Sequence, residues 1–136
     1  MISTLQALEA QLSQTQALSE KLRLLDELYQ YLRLSDLRRA GQIVEEMLVL
    51  SGPAYPVGRG LALKNLGDLH LRLGNLPASQ GCLEEALAIL RESGEPRGKI
   101  RVLNALGSLY CLQGGFSKAL EYHLEALEIS RNGFVA

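Results

Sequence analysis

Apolar residues recur at intervals of three and four along nearly the whole chain, and each break in that rhythm falls on a cluster of Gly, Pro, Ser, Asn or Asp. That period is helical; no stretch alternates as a strand would. Ser3 or Thr4 is placed as an N-cap before Leu5, Leu8 and Leu12, and polar Ser13-Gln14-Thr15 interrupts or bends this first helix. A second helix is predicted from about Ala17 to Arg33 on Leu18, Leu22, Leu25, Leu28 and Leu32. Ser35-Asp36 stops it and caps a third, which carries Leu37, Ala40, Val44, Met47, Leu48 and Leu50. Ser51-Gly52-Pro53 ends the third helix, because glycine accepts a left-handed C-cap and proline cannot continue the ladder. Pro56 falls in the first turn of a helix that reaches about Leu73, and Pro77 in the first turn of one that ends near Glu92. Gly74-Asn75 separates those two. Beyond Ser93-Gly94-Glu95-Pro96, a last pair spans about Pro96–Gln113 and Phe116–Arg131 around Gly114-Gly115. Turns this short force successive helices to pack antiparallel.

The stretch Gly60–Arg91 recurs as Ile100–Arg131 at an offset of 40. Identical pairs are Leu63/Leu103, Leu66/Leu106, Gly67/Gly107, Leu69/Leu109, Gly74/Gly114, Glu85/Glu125, Ala86/Ala126, Leu87/Leu127, Ile89/Ile129 and Arg91/Arg131. Background composition would give roughly two or three such matches by chance. A period of this length marks a solenoid built from helical pairs. Its small residues have a direct role: Gly67 and Gly107 let paired helices approach at backbone distance, and Ala86 and Ala126 do the same for the following helix.

Within each 40-residue unit the pattern resembles the tetratricopeptide repeat in its longer form. The family places a large apolar residue, Leu-Gly and Tyr on the first helix, Gly at the turn, and Ala, an aromatic and Ala on the second. The middle unit has Leu63, Leu66-Gly67, His70, Gly74, Ser79, Leu83 and Ala86; the last has Leu103, Leu106-Gly107, Tyr110, Gly114, Ala119, His123 and Ala126. Arg91 and Arg131 replace the family's helix-ending Pro, so each second helix is expected to run on for another turn. A weaker copy lies upstream at an offset of 39: Leu24, Glu27-Leu28, Tyr31, Ser35, Ala40, Val44 and Met47. Its bulkier residues are expected to open the helix crossing. The resemblance implies an all-α fold, a right-handed α-solenoid of about three antiparallel helix pairs preceded by an N-terminal helix. As a single domain it divides into 1–16, 17–52, 53–94, 95–131 and a tail, 132–136.

The resemblance also implies a concave groove lined by the first helix of each pair. By family register its lining is Leu25, Tyr29 and Leu32 in the weak repeat. The middle repeat adds Leu61, Lys64, Asp68 and Leu71, with Arg72 beside them, and the last adds Arg101, Asn104, Ser108 and Cys111. Leu and Tyr in a concavity suit an amphipathic helix or an extended peptide as ligand. The alternative is that the N-terminal helix, through Leu5, Leu8 and Leu12, fills the groove from within. Chaperone-binding members of the family hold a C-terminal carboxylate in a Lys/Asn/Arg clamp. Only Asn65 and Arg101 fall near clamp positions here, while Leu25, Tyr29 and Ala105 replace the rest, so that ligand is rejected. Leu120, Leu124, Leu127 and Phe134 are expected to be partly bare, which points to self-association, most simply a homodimer through the terminal repeat.

Composition narrows the partners. A net charge of −1 with the 14 basic residues dispersed leaves no phosphate-tracking stripe, so no nucleic acid is expected as ligand. No apolar run approaches the roughly 20 residues that cross a bilayer, and no basic-then-apolar leader opens the chain, so a cytoplasmic protein with no membrane partner is expected. Cys82 and Cys111 are too few and too far apart for a disulfide scaffold and suit a reducing compartment.

No Walker loop, Gly-x-Ser-x-Gly, His-Glu-x-x-His or Cys-x-x-Cys is present, so no catalytic residue and no cofactor is assigned. His70 and His123 read as packing residues at helix contacts, since neither has the i, i+3 or i, i+4 companion that a helical metal site needs. The doublets Asp26-Glu27, Glu45-Glu46 and Glu84-Glu85 read as solvated helix faces. The function that follows is a non-catalytic module that binds a protein or peptide. In bacteria such arrays often precede a signalling output domain. The alternatives are a self-assembling structural domain with a filled groove, and a regulator that senses short peptides.

Overall fold

A computed structural model describes residues 3–14, 17–52 and 55–132. Among them are seven helices and no strand: α1 (Thr4–Gln14), α2 (Leu18–Leu32), α3 (Leu37–Ser51), α4 (Pro56–Arg72), α5 (Leu76–Ser93), α6 (Pro96–Leu112) and α7 (Phe116–Arg131). Three of the starts carry a side-chain cap. The Ser3 hydroxyl accepts the Gln6 amide at 3.1 Å while the Gln6 side chain accepts the Ser3 amide at 2.9 Å, a capping box. Asp36 accepts from the Arg39 amide at 3.1 Å, and Glu95 from the Gly98 amide at 3.3 Å behind Pro96. Thr15, Gln16, Pro53, Phe134 and the other tail residues 133–136 lie outside the described residues, so the expected break after α1 and the role of Phe134 do too.

The helices form the antiparallel pairs α2/α3, α4/α5 and α6/α7, and each second helix also packs on the first helix of the next pair. The first helices touch in series, α2 on α4 and α4 on α6, which makes one continuous first-helix face. This is an all-α solenoid. The 40-residue period reappears bond by bond at the turns. Gly74 and Gly114 have φ of 84° and 81°, in the left-handed region that favours glycine. Asn75 N–H donates to the His70 carbonyl, and Gly115 N–H to that of Tyr110, both at 2.8 Å.

The small residues sit where close approach demands them. A Cβ on Gly67 would stand 2.6 Å from Leu83 Cγ, and one on Gly107 would stand 2.4 Å from His123 Nε2. Leu83 and His123 are themselves one period apart, so the two glycines occupy equivalent places. Buried Ser79 adds a bond to the Gly67 carbonyl at 2.7 Å. The weak pair α2/α3, with Leu28 at the glycine position, makes a markedly less extensive helix–helix contact than α4/α5, as the bulkier crossing implies. The helices beyond Arg91 and Arg131 are shorter than expected. Gly94, at φ 73°, stops α5 two residues after Arg91, and Asn132 caps α7 directly after Arg131.

Apolar burial is continuous from α1 to α7. Leu8 of α1 joins Leu22, Leu24, Leu25, Leu28, Met47 and Ala62, and Leu63, Leu83, Leu87, Leu90, Leu103 and Leu106 form the larger cluster downstream. Leu48 packs against both. The first helix α1 rests on α2 and is tied to α3 by Glu9–Arg39 at 2.5 Å. It therefore occupies the place of a preceding second helix and adds to the end of the stack.

Candidate functional site

The first-helix face holds an open pocket of about 630 Å³. Gln30 and Arg33 of α2 line it, with Lys64, Asn65, Asp68, Leu71 and Arg72 of α4 and Arg101, Asn104, Ala105 and Ser108 of α6. Seven of the residues placed there by register thus come together: Lys64, Asp68, Leu71, Arg72, Arg101, Asn104 and Ser108. Cys111 is exposed on the same helix but lines none of the pocket. No described residue of α1 lines it either, because α1 is spent on α2 and α3.

The weak repeat requires a correction. Leu25 and Leu32 are fully enclosed, Leu25 among Leu8, Leu22, Met47 and Ala62, and Leu32 among Tyr29, Ala40 and Val44. They are core residues, because α1, α3 and α4 close over α2 and leave its apolar side chains nowhere else to go. Tyr29 is a hybrid. Its ring is buried, while its hydroxyl donates to Asp68 Oδ2 at 2.7 Å beneath the pocket. Burial, and then that bond to Asp68, push its pKa well above the usual phenol value.

Two carboxylates organise the polar floor. Asp68 accepts from Tyr29, from Arg72 Nε at 3.0 Å and from Arg33 Nη1 at 3.4 Å. Asp26 accepts from Lys64 Nζ at 2.8 Å and Asn65 Nδ2 at 2.9 Å. The expectation of a solvated Asp26 therefore fails, since its side chain is only 19% exposed and faces the Lys64 ammonium, which is 4% exposed. Burial alone would raise the Asp26 pKa, but Lys64 and Asn65 outweigh it and hold the carboxyl below the usual range. Burial pulls the Lys64 ammonium below its ordinary value, with Asp26 opposing. The other doublets, Glu45-Glu46 and Glu84-Glu85, are exposed.

Gln30, Arg33 and the Asp26 network were missed in the sequence. The usable signal was the 39-residue offset of the weak repeat, which aligns Asp26 with Asn65 and Arg33 with Arg72 on neighbouring first helices. His123 bonds to Asn104 Oδ1 at 3.0 Å, and half-buried His70 has its Nδ1 enclosed without a partner among the described residues. Among the described residues no three His, Cys, Asp or Glu side chains are grouped to hold a metal ion. Burial pushes the Cys82 thiol up, away from the thiolate a nucleophile needs. No described helix is long and apolar enough to cross a membrane.

In charge, the pocket brings the cations Arg33, Lys64, Arg72 and Arg101 against two carboxylates, whereas the whole chain is at −1. Such a surface can position and bind a charged ligand. No curated protein sequence matches the chain significantly. A family model described as tetratricopeptide repeat matches residues 59–132, slightly more than half of the chain and the part that forms α4 to α7. With paired helices, equivalent glycines and a shared first-helix face already evident, the chain belongs to the tetratricopeptide repeat family, whose repeats generally mediate protein–protein interaction.

Proposed function

We propose that this protein is a non-catalytic interaction module whose first-helix face holds an extended, acidic segment of a partner polypeptide. The observation that carries this reading is the open pocket with its excess of cationic side chains on a chain of slight negative charge. Leu71 and Ala105 supply apolar footing between the charges, as peptide grooves do. Family register also agrees, since first helices form the binding face. The setting that fits is cytoplasmic, where the free Cys82 and Cys111 stay reduced, and regulatory, as in the bacterial signalling arrays it resembles. Once a partner has been captured, Arg101→Glu and Ser108→Glu, at two exposed positions of the pocket, test the assignment. Binding should weaken with each substitution and with added salt. If every partner stays bound to the double variant, the groove is not the binding face.

A second reading, self-association through the terminal repeat, has its own observation. Leu120, Leu124 and Leu127 form one stripe of α7 and are 59%, 53% and 50% exposed. Light scattering at rising concentration should then show a dimer that Leu124→Glu dissociates. A constant monomer mass for both proteins would dispose of this reading.

A further inference from the structure

The four cations around the pocket are not equivalent. Arg33 and Arg72 converge on the Asp68 carboxylate, which also accepts the Tyr29 hydroxyl. Two guanidinium groups and a phenol closing on one carboxylate form the kind of cradle that would hold an acidic side chain of a ligand. Here the chain supplies that carboxylate itself, and Asp68 is only 15% exposed. Lys64 is likewise committed to Asp26 and almost wholly enclosed. Arg101 lies near enough to Asp26 and Lys64 to feel their charges but is bonded to neither. It is exposed, it lines the same pocket, and among the described residues it makes no ion pair and no side-chain hydrogen bond. An arginine with no carboxylate beside it loses little on meeting one, whereas the charge of Arg33 and Arg72 is already partly offset by Asp68, although each guanidinium keeps donors that Asp68 does not use, Arg33 Nε among them.

We propose that Asp68 is the specificity residue of the groove: an internal carboxylate that occupies the Tyr29–Arg33–Arg72 cradle and confines the anionic group of an acidic peptide to Arg101. This rests on the peptide-binding reading above and adds which end of the groove reads charge. The wild-type groove then reads one well-placed carboxylate most strongly, and additional acidic residues gain little from the α2/α4 end, where Asp68 already offsets part of the charge of Arg33 and Arg72. Neutralising Asp68 opens that end as a second anion site.

Two fluorescent octapeptides with blocked termini serve as probes, one with a single Glu among Ser and Ala, the other rich in Glu, read by anisotropy. Wild-type protein should bind the two within about threefold of each other, and Arg101→Gln should weaken both about tenfold, the effect of one charge-assisted contact. Asp68→Asn should tighten the Glu-rich peptide about tenfold and leave the single-Glu peptide nearly unchanged. Arg72→Gln, which leaves Asp68 in place with two of its donors, tests the idea without touching the carboxylate. It should change wild-type affinity less than about twofold, because Arg72 is already engaged. If Arg72→Gln weakens binding as much as Arg101→Gln, or if folded Asp68→Asn gains nothing for the Glu-rich peptide, the assignment of Asp68 falls while the groove reading stands. If neither peptide binds wild type or Asp68→Asn, both fall together.

Discussion

The middle pair α4/α5 and the last pair α6/α7 follow one backbone plan, yet they bury their residues very differently. Both turn through a left-handed glycine, at Gly74 and Gly114, and both set a glycine of the first helix against the same position of the second. Leu87 and Leu127 are the same residue one period apart, and they are 4% and 50% exposed. In α5, Ser79, Leu83, Ala86, Leu87 and Leu90 are buried; in α7 only Ala119 and Ala126 are. The difference is supplied by neighbours, since α5 is covered by α4 on one side and α6 on the other, whereas among the described helices α7 packs on α6 and meets α5 only through Arg91 and Glu125. In a solenoid, residue type proposes burial and position in the stack decides it.

The largest effect is expected where the middle pair meets α2, an interface with no counterpart on α7. Asp26→Ala strips the enclosed Lys64 ammonium of its counter-charge, which costs about 3–5 kcal/mol for a pair broken from one side. Chemical denaturation measures it. The same pair gives an acid-sensitive contribution. The folded Asp26 pKa lies below the unfolded value of about 4, so its stabilisation is complete above that value and is lost as pH falls through the folded one. The stability gap between wild type and Asp26→Asn should therefore be constant near neutrality and close below about pH 4.

Next comes the direct comparison of identical residues. Leu87→Ala should cost about 2–4 kcal/mol, and Leu127→Ala about 1 kcal/mol or less, because the second removes side chain that is already half in water. Equal losses at micromolar concentration would mean that α7 is covered in solution. That would favour the self-association reading and redraw the comparison.

Glycine replacements come third and test the shared plan at its tightest point. Gly67→Ala drives a methyl group into Leu83, which is 0% exposed and has nowhere to move, at about 1–3 kcal/mol. Gly107→Ala meets His123 on the outermost helix, half-buried and able to swing outward, and should cost less than half as much.

These contrasts also show which features could be read from the residues alone. The helices, their turns and the equivalence of Gly67 with Gly107 were legible, because local caps and a repeated spacing act within one or two turns of chain. Groove residues on α4 and α6 were legible from the register of the repeat: Asn104 and Ser108 are polar and exposed there, while Lys64 and Asp68 share that register but turn inward to Asp26 and Tyr29. On α2 the same register holds Leu25, Tyr29 and Leu32, and there hydrophobicity overrode register. Those side chains were drawn under α1, α3 and α4, which no single-helix pattern reports. Asp26 failed in the opposite sense. A carboxylate beside Glu27 looks solvated until Lys64, 38 positions away, is seen to lie against it.

The smallest expected effect tests whether surface charge adds to the middle pair's advantage. Arg91 of α5 reaches across to Glu125 of α7 at 2.7 and 2.8 Å, so it ties the covered helix to the bare one. Both contacts come from the single nitrogen Nη2, the side chains are 50% and 36% exposed, and water and salt screen most of the attraction. Arg91→Ala should cost about 0.2–1 kcal/mol, a loss that shrinks as sodium chloride rises toward 1 M. Arg131, its equivalent one period on, has no ion-pair partner among the described residues, so Arg131→Ala should be silent. A larger effect at Arg131 than at Arg91 would mean that α7 meets an acidic surface beyond the described helices, and the last pair would then no longer count as the uncovered end.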